Sequence, residues 1–372
     1  TMTASVAIEF LFPGVNTLVV ALVLLLILLV INLLGVEIFG SIQLAIVLIL
    51  MLGTAGLGVF GLLDIGTINP AVVSEFNPFG WPTVFQALAM GLWLFIGIEY
   101  VIPLGDEVKK PEKTIPKAMI CGLLTIFVVD MLFGFALTRH MDLATLSASA
   151  TPQIDGAIAI FGNMGGMIMS VLTLLAAVST INASFAAVPR MFYGLARQGL
   201  LPKAFKYIHP KFRTPSFGII FVFLLFSLPL FILESTITVF TTLLLSASVT
   251  WLITYIIAQV NVLILRKRYP NIERPFKAPF TPVIQIIGIA FCVYMIVTIH
   301  PDPTMKGTIY TVAFSLLLCI AAYAFIWLKY KKLPLFTPIA LEDMRQLKFD
   351  SESPVENLKT EVISVAASEK GW

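Results

Sequence analysis

Residues 92–107 read LWLFIGIEYVIPLGDE, an apolar run with Glu99 near its middle, Gly97 two positions earlier and Pro103 four later. A carboxylate at the centre of a membrane-crossing helix costs about 2.5–3.5 kcal/mol on insertion scales. Gly91 and Gly97 each lower helix propensity by about 1 kcal/mol relative to alanine. The stretch predicts a span whose hydrogen-bond ladder opens around Phe95–Gly97. Freed backbone groups survive in hydrocarbon only where they line a cavity or meet protein partners. Broken spans of this kind build midplane binding sites. Trp93 offers a flat face to a cationic or apolar ligand, and Glu99 could carry or sense a proton. A continuous helix with a glycine notch, Glu99 being hydrogen-bonded within a bundle, accounts for the same residues.

The rest of the chain sets the context. It is 58% hydrophobic and 12% charged, with a mean hydropathy of +0.96, outside the range of soluble domains. Runs long enough to cross about 30 Å of hydrocarbon recur at 16–36, 42–63, 83–105, 118–138, 164–189, 216–233, 238–264, 283–299 and 308–328. These nine spans predict an all-helical integral membrane protein embedded in a lipid bilayer. Cys121, Cys292 and Cys319 lie in or beside apolar runs without CxxC spacing, which argues against disulfides and metal. His140, His209 and His300 are far apart and fall in predicted connections. No cofactor, metal or nucleic-acid partner is expected, and no His/Asp/Ser constellation marks an enzyme.

Charge gives the orientation. Of the 24 Lys and Arg residues, all but Arg139 and Lys306 fall on one side if the spans alternate. Three connections carry most of them: DEVKKPEKTIPK (106–117), the stretch from Arg190 to Arg213, and RKRYPNIERPFK (266–277). The positive-inside rule makes that side, and the carboxyl terminus, cytoplasmic. Nine spans ending inside put the first residue outside, without a signal peptide. Either one or three upstream spans are absent, or the amino terminus faces out. Residues 1–330 form the membrane domain, and 331–372 read as a polar cytoplasmic tail.

Polar side chains inside spans are further candidates. Ser179, Thr180 and Asn182 lie together in the fifth span and could coordinate Na⁺ or bind a solute; hydroxyls also commonly bond to their own helix. Asp130 is the other carboxylate well inside a span, and Arg139 is too far along the helix to pair with it. It reads as a second proton site or as the partner of a polar group on another span. Ser246 and Ser248 in the seventh span are weaker candidates of the same sort.

Three stretches carry a resemblance. They are WLFIGIE (93–99) followed by EVKKPEKTIPKA from Glu107, RMFYGLARQGLLPKAF from Arg190 closed by Thr214 and Pro215, and LRKRYPNIERPFKAPF from Leu265. In this order and on the basic side, they resemble the amino acid–polyamine–organocation permease superfamily over residues 10–330. The resemblance implies a LeuT-like fold of inverted repeats in which the nine spans correspond to the family's fourth to twelfth helices. The first three helices, with half of the binding site, would then lie upstream.

By that resemblance Trp93 matches an aromatic gate, and Ile96, Gly97 and Ile98 the unwound stretch that receives a substrate amino group, with Phe95 beside it. Glu99 matches a proton-sensitive gate, and Thr180 falls near a sodium-like site. Ser184 stands where arginine-type exchangers place a second aromatic, and Ser246 joins the substrate-binding positions. Leu50 stands where some proton-coupled members carry a lysine, so coupling through H⁺ at Glu99 or Asp130, coupling to Na⁺, and exchange stay open. The implied activity is alternating-access transport of an amino acid across the inner or plasma membrane. The alternatives are a polyamine or organic-cation importer of the same superfamily and a transport-inactive sensor or accessory protein. The sequence leaves the oligomeric state open.

Overall fold

Helix is the conformation in which an isolated apolar segment satisfies its own backbone in hydrocarbon. The computed structural model describes residues 2–69, 77, 79–149, 151–232, 237–272, 274 and 276–331. Among the described residues the regular structure is helical, without strands: α1 Met2–Leu11, α2 Thr17–Leu34, α3 Val36–Leu62, α4 Gly80–Leu92, α5 Pro111–His140, α6 Leu143–Ala148, α7 Pro152–Arg197, α8 Ser216–Ile232, α9 Ile237–Arg268, α10 Val283–Val297 and α11 Pro303–Lys331. Capping residues start several of them. The Asn16 carboxamide oxygen accepts from the Leu18 and Val19 N–H groups at 3.1 and 3.2 Å, Asp142 caps α6, and Pro111 and Pro152 occupy first turns, where the missing N–H costs nothing.

Six of these helices, α2, α3, α5, α7, α9 and α11, are long and apolar enough to cross a membrane. The other three expected spans fall on shorter apolar helices. Residues 216–233 correspond to α8 and 283–299 to α10, while 83–105 is divided between α4 and the segment after it. The chain divides into a unit Thr1–Cys319 and a unit Ile320–Trp372. In the second, the Tyr323 ring stacks on Trp327, and Lys331 lies over the Trp327 and Tyr330 rings. The expected tail beyond Lys331 lies outside the described residues.

Close helix packing in a membrane comes from small residues that let backbones approach. On α3, a Cβ at Gly58 would sit 2.8 Å from backbone atoms of Leu132 and Phe133, and one at Gly61 would meet Ala136 of α5 at 2.9 Å. Gly53 similarly admits Leu172 of α7. The apolar cores follow these seams. One joins α3, α5 and α7 through Ile46, Leu50, Leu57, Phe133 and Leu172, so Leu50 is a packing residue. A second joins α2, α7 and α8 around Leu25 and Phe185. A third joins α9, α10 and α11 around Leu245, Leu252 and Ile309.

α7 is broken at Gly162, whose φ of +69° admits glycine readily. The carbonyls before the break are taken up by the segment after α3: Ile68 N–H donates to Ile160 at 2.8 Å and the Asn69 amide to Ala159 at 2.7 Å. That segment is also held by Arg139, whose guanidinium donates to Asp64 at 2.6 and 3.2 Å. This bond holds the Asp64 carboxyl below its ordinary range. His140, expected in a connection, is instead the last residue of α5. It is buried, with its ring nitrogens 2.9 Å from the Gly61 carbonyl and 3.2 Å from that of Asn69.

Candidate functional site

The opening stretch is broken where the sequence predicts. α4 gives way to one 3₁₀ turn, Trp93–Phe95; Ile96 is extended, and Gly97 takes φ +105°. A Cβ at Gly97 would meet nothing within 4 Å, so glycine is needed there for its backbone angle and not for space. Past the break the chain winds as a 3₁₀ helix, Ile98–Glu107, with Pro103 inside it. The two halves rest on different neighbours. Leu88 and Leu92 of α4 pack on the core of α9, α10 and α11. Beyond the break, Ile98 approaches α5 at Gly122, and Glu107 reaches α7.

Glu99 is the junction between them. Its Oε1 accepts from the Trp251 indole N–H, and its Oε2 accepts from the Tyr255 hydroxyl at 3.0 Å and from the Gly97 N–H at 3.2 Å. Trp251 and Tyr255 are one turn apart on α9, so both reach the same carboxylate. Tyr100 follows the same surface, its ring 6.5 Å from that of Trp251 and its hydroxyl beside Ser184 on α7. The donors differ in what they can do if Glu99 takes up a proton. A hydroxyl can reverse and accept, whereas an indole and a backbone N–H can only donate.

The other predicted residues separate into groups. Trp93, Phe95, Ile96, Gly97 and Ile98 fall within one six-residue stretch and are half-buried, with the exposed Leu94 between the first two. Ser184 is buried opposite Tyr100, its hydroxyl donating to the Thr180 carbonyl at 2.9 Å. Ser179 and Asn182 belong to a different feature, a relay of amides across three helices. Asn32 of α2 donates to Asn182 at 2.8 Å, Asn182 donates to Gln43 of α3 at 3.0 Å, and Gln43 donates to the Ser179 hydroxyl at 2.6 Å. The bond from Asn32 to the Leu28 carbonyl, 2.9 Å, fixes the direction of every amide after it, because a carbonyl only accepts. Thr180 turns away from this group, is exposed, and donates to Ala176. The three residues expected to share a cation thus do not converge: both functional groups of Asn182 are engaged by neighbouring amides.

Ser246 does not reach the break. It is buried between α9 and α11, donating to Thr242 at 2.7 Å with the Ile309 carbonyl at 3.1 Å. A helix hydroxyl held by two carbonyls has no proton left to offer a solute. Asp130 is half-buried on α5, away from Glu99 in sequence, with no hydrogen-bond or ion-pair partner among the described residues. Among the described residues, no group of three or more His, Cys, Asp and Glu side chains could hold a metal ion. The sequence reading missed Trp251, Tyr255, Asn32 and Gln43. For the two amides a signal was present, since a carboxamide within an otherwise apolar span calls for a partner.

A broken apolar segment packed among helices long and apolar enough to cross a membrane fits a multi-pass membrane protein, and comparison with known proteins gives the family. The model of a family described as amino acid permeases matches residues 1–328, and the chain belongs to that family, one of transporters rather than enzymes. Its relatives include the serine/threonine exchanger SteT of Bacillus subtilis, 30% identical over 73% of this chain and 61% of the relative. The methylthioribose transporter of the same organism is 28% identical over 63% and 50% of the two chains. Its branched-chain amino acid permease BcaP is 29% identical over 62% and 49%. The chain spans roughly half to three-fifths of the length of these curated relatives.

Proposed function

We propose that the protein is a secondary active amino-acid permease that works by alternating access, with the break at Ile96–Gly97 as the shelf for the substrate's amino group. The observation that carries this reading is the placement of Glu99. It stands directly behind the break, with both carboxylate oxygens bound to α9 and to the Gly97 N–H. Trp93 covers the bound amino acid, and Ser184 and Tyr100 line the far side. Spans alternate across a cell membrane with the basic connections and the carboxyl terminus on the cytoplasmic face. The nine spans correspond to the fourth to twelfth helices of a LeuT-like inverted-repeat fold. Coupling runs through protonation of Glu99 or through obligatory exchange, the latter suggested by the similarity to a serine/threonine exchanger.

The polyamine reading is weaker on the same observation. An acid already engaged by three donors is a poor counter-ion for a second ammonium. The test is uptake by the full-length protein in proteoliposomes, using labelled serine, threonine and branched-chain amino acids, with putrescine and methylthioribose as competitors. Saturable amino-acid flux that putrescine does not compete with is expected. Competition by putrescine alone would move the assignment to organic cations. Ligand-induced thermal stabilisation without flux would mark a sensor. Loading the vesicles with amino acid, or imposing a pH gradient, separates exchange from proton coupling.

A further inference from the structure

The ten residues Ile98–Glu107 form a continuous 3₁₀ helix, a conformation whose hydrogen bonds are poorer than those of an α-helix and whose runs seldom exceed three or four residues. Side-chain bonds fasten this segment at both ends, and to different helices. At its start Glu99 is bound by Trp251 and Tyr255 of α9. At its end the Glu107 Oε1 accepts from Arg190 Nε of α7 at 2.8 Å. Arg190 is itself fixed. Its Nη1 donates to the Ala186 carbonyl of its own helix at 2.6 Å, beside Pro189, which interrupts that helix's ladder. The Arg190 side chain is 11% exposed. The guanidinium is thus a preset receptor for one carboxylate, and a rigid fork loses little freedom on binding.

The two ends are mechanically related. A 3₁₀ helix advances about 120° and 2.0 Å per residue, an α-helix about 100° and 1.5 Å. Each residue that converts to α therefore turns Glu99 by about 20° relative to Glu107 and draws the ends about 0.5 Å closer. Pro103 permits this for the residues that follow it, since proline is at home in the first turn of an α-helix. Conversion of two or three residues would carry the Glu99 carboxylate out of reach of the Trp251 indole.

We propose that Arg190 is a positioning residue for Glu99. By holding Glu107 against α7 it keeps Ile98–Glu107 drawn out in the 3₁₀ form, and that length and phase keep the Glu99 carboxylate aligned with Trp251 and Tyr255. The functional weight of the pair rests on the permease reading, in which Glu99 links protonation to the break; the positioning itself does not.

The test uses full-length protein in which Trp251 is the only tryptophan, purified without substrate. The fluorescence of Trp251 reports directly on its bond to Glu99. R190A and E107Q are expected to shift its emission and increase its acrylamide quenching to the same extent as E99A, which removes the acceptor outright. R190K should fall between these and the parent, and the exchanged pair E107R/R190E should restore the parent signal. Restoration by exchange is what a merely structural loss would not give. Emission unchanged in folded, monodisperse R190K and E107Q overturns the proposal, as does an exchanged pair that resembles the single variants. A Trp251 signal that responds as expected, when the parent with all its tryptophans transports no amino acid, supports the positioning and sinks the permease reading alone.

Discussion

Replacing Glu99 with glutamine preserves the shape of the side chain and removes one acceptor. The carboxylate receives three donors: the Trp251 indole, the Tyr255 hydroxyl and the Gly97 N–H. Glutamine brings one carbonyl oxygen and an amino group that only donates. If its oxygen stays with Trp251, Tyr255 can reverse to accept from the amino group, but the Gly97 N–H is stranded. If the amide turns over, the indole is stranded instead. Either way one half-buried donor loses its partner, at a cost of about 1–3 kcal/mol, and the surviving bonds are no longer charge-assisted. Trp251→Phe strands one carboxylate oxygen while the other remains served, so its loss belongs at the low end, about 1 kcal/mol. Because both changes act on one bond, E99Q/W251F should lose less than the two singles together. The assay is thermal unfolding of the full-length protein in detergent, paired with uptake measured as a function of pH. E99Q should be less stable than the parent and its uptake insensitive to pH, since glutamine stands in for the protonated acid alone. E99Q with parental stability and an unchanged pH profile would refute the reasoning.

Other consequences follow from the packing. Asn182→Ala should cost about 1–3 kcal/mol, because it leaves the Gln43 oxygen without its donor while Asn32 keeps the Leu28 carbonyl; thermal unfolding checks it, and Asn32→Ala, which strands the Asn182 oxygen in the same way, should cost a similar amount. Gly58→Ala should destabilise by about 1–3 kcal/mol, since its Cβ would meet the α5 backbone at 2.8 Å and backbone cannot step aside as a side chain can. Asp64 tests the sign of a pH effect. Arg139 depresses its carboxyl below the ordinary 3.8, so the stabilisation it provides is present above that value and is lost as pH falls through the depressed one. D64N should therefore be less stable than the parent at neutral pH, with the two unfolding curves converging in strong acid.

The broken helix was legible in the sequence because its signals are local. A glycine, an acid and a proline within one apolar run leave the backbone few alternatives, and the opening falls at Ile96–Gly97 as the residues require. What the acid binds was not legible, since Trp251 and Tyr255 lie about 150 residues away and an aromatic in a span has many uses. Their spacing of one helical turn, with two donors on one face, was the available clue. Ser246 shows the converse: a buried hydroxyl reads the same whether it meets a solute or a neighbouring carbonyl, and only the position of α11 decides. Ser179, Thr180 and Asn182 are neighbours in sequence, but the helix puts Ser179 and Asn182, three apart, on the side of Gln43 and turns Thr180 away. Adjacency along the chain therefore overstated what they share. The breaks at Gly97 and Gly162 also differ in a way the sequence does not record. The first leaves open space around its Cα, and the second has Ile68 against it.

The most direct measurement is counterflow through the full-length protein in proteoliposomes, comparing the parent with Gly97→Val. Valine at φ +105° is strained whatever room surrounds it, so the substitution strikes the break and nothing beside it. Saturable exchange of an amino acid by the parent, abolished in a folded G97V protein, is the predicted result. Exchange that survives G97V at the parental rate would contradict the assignment of Ile96–Gly97 as the shelf on which the substrate rests.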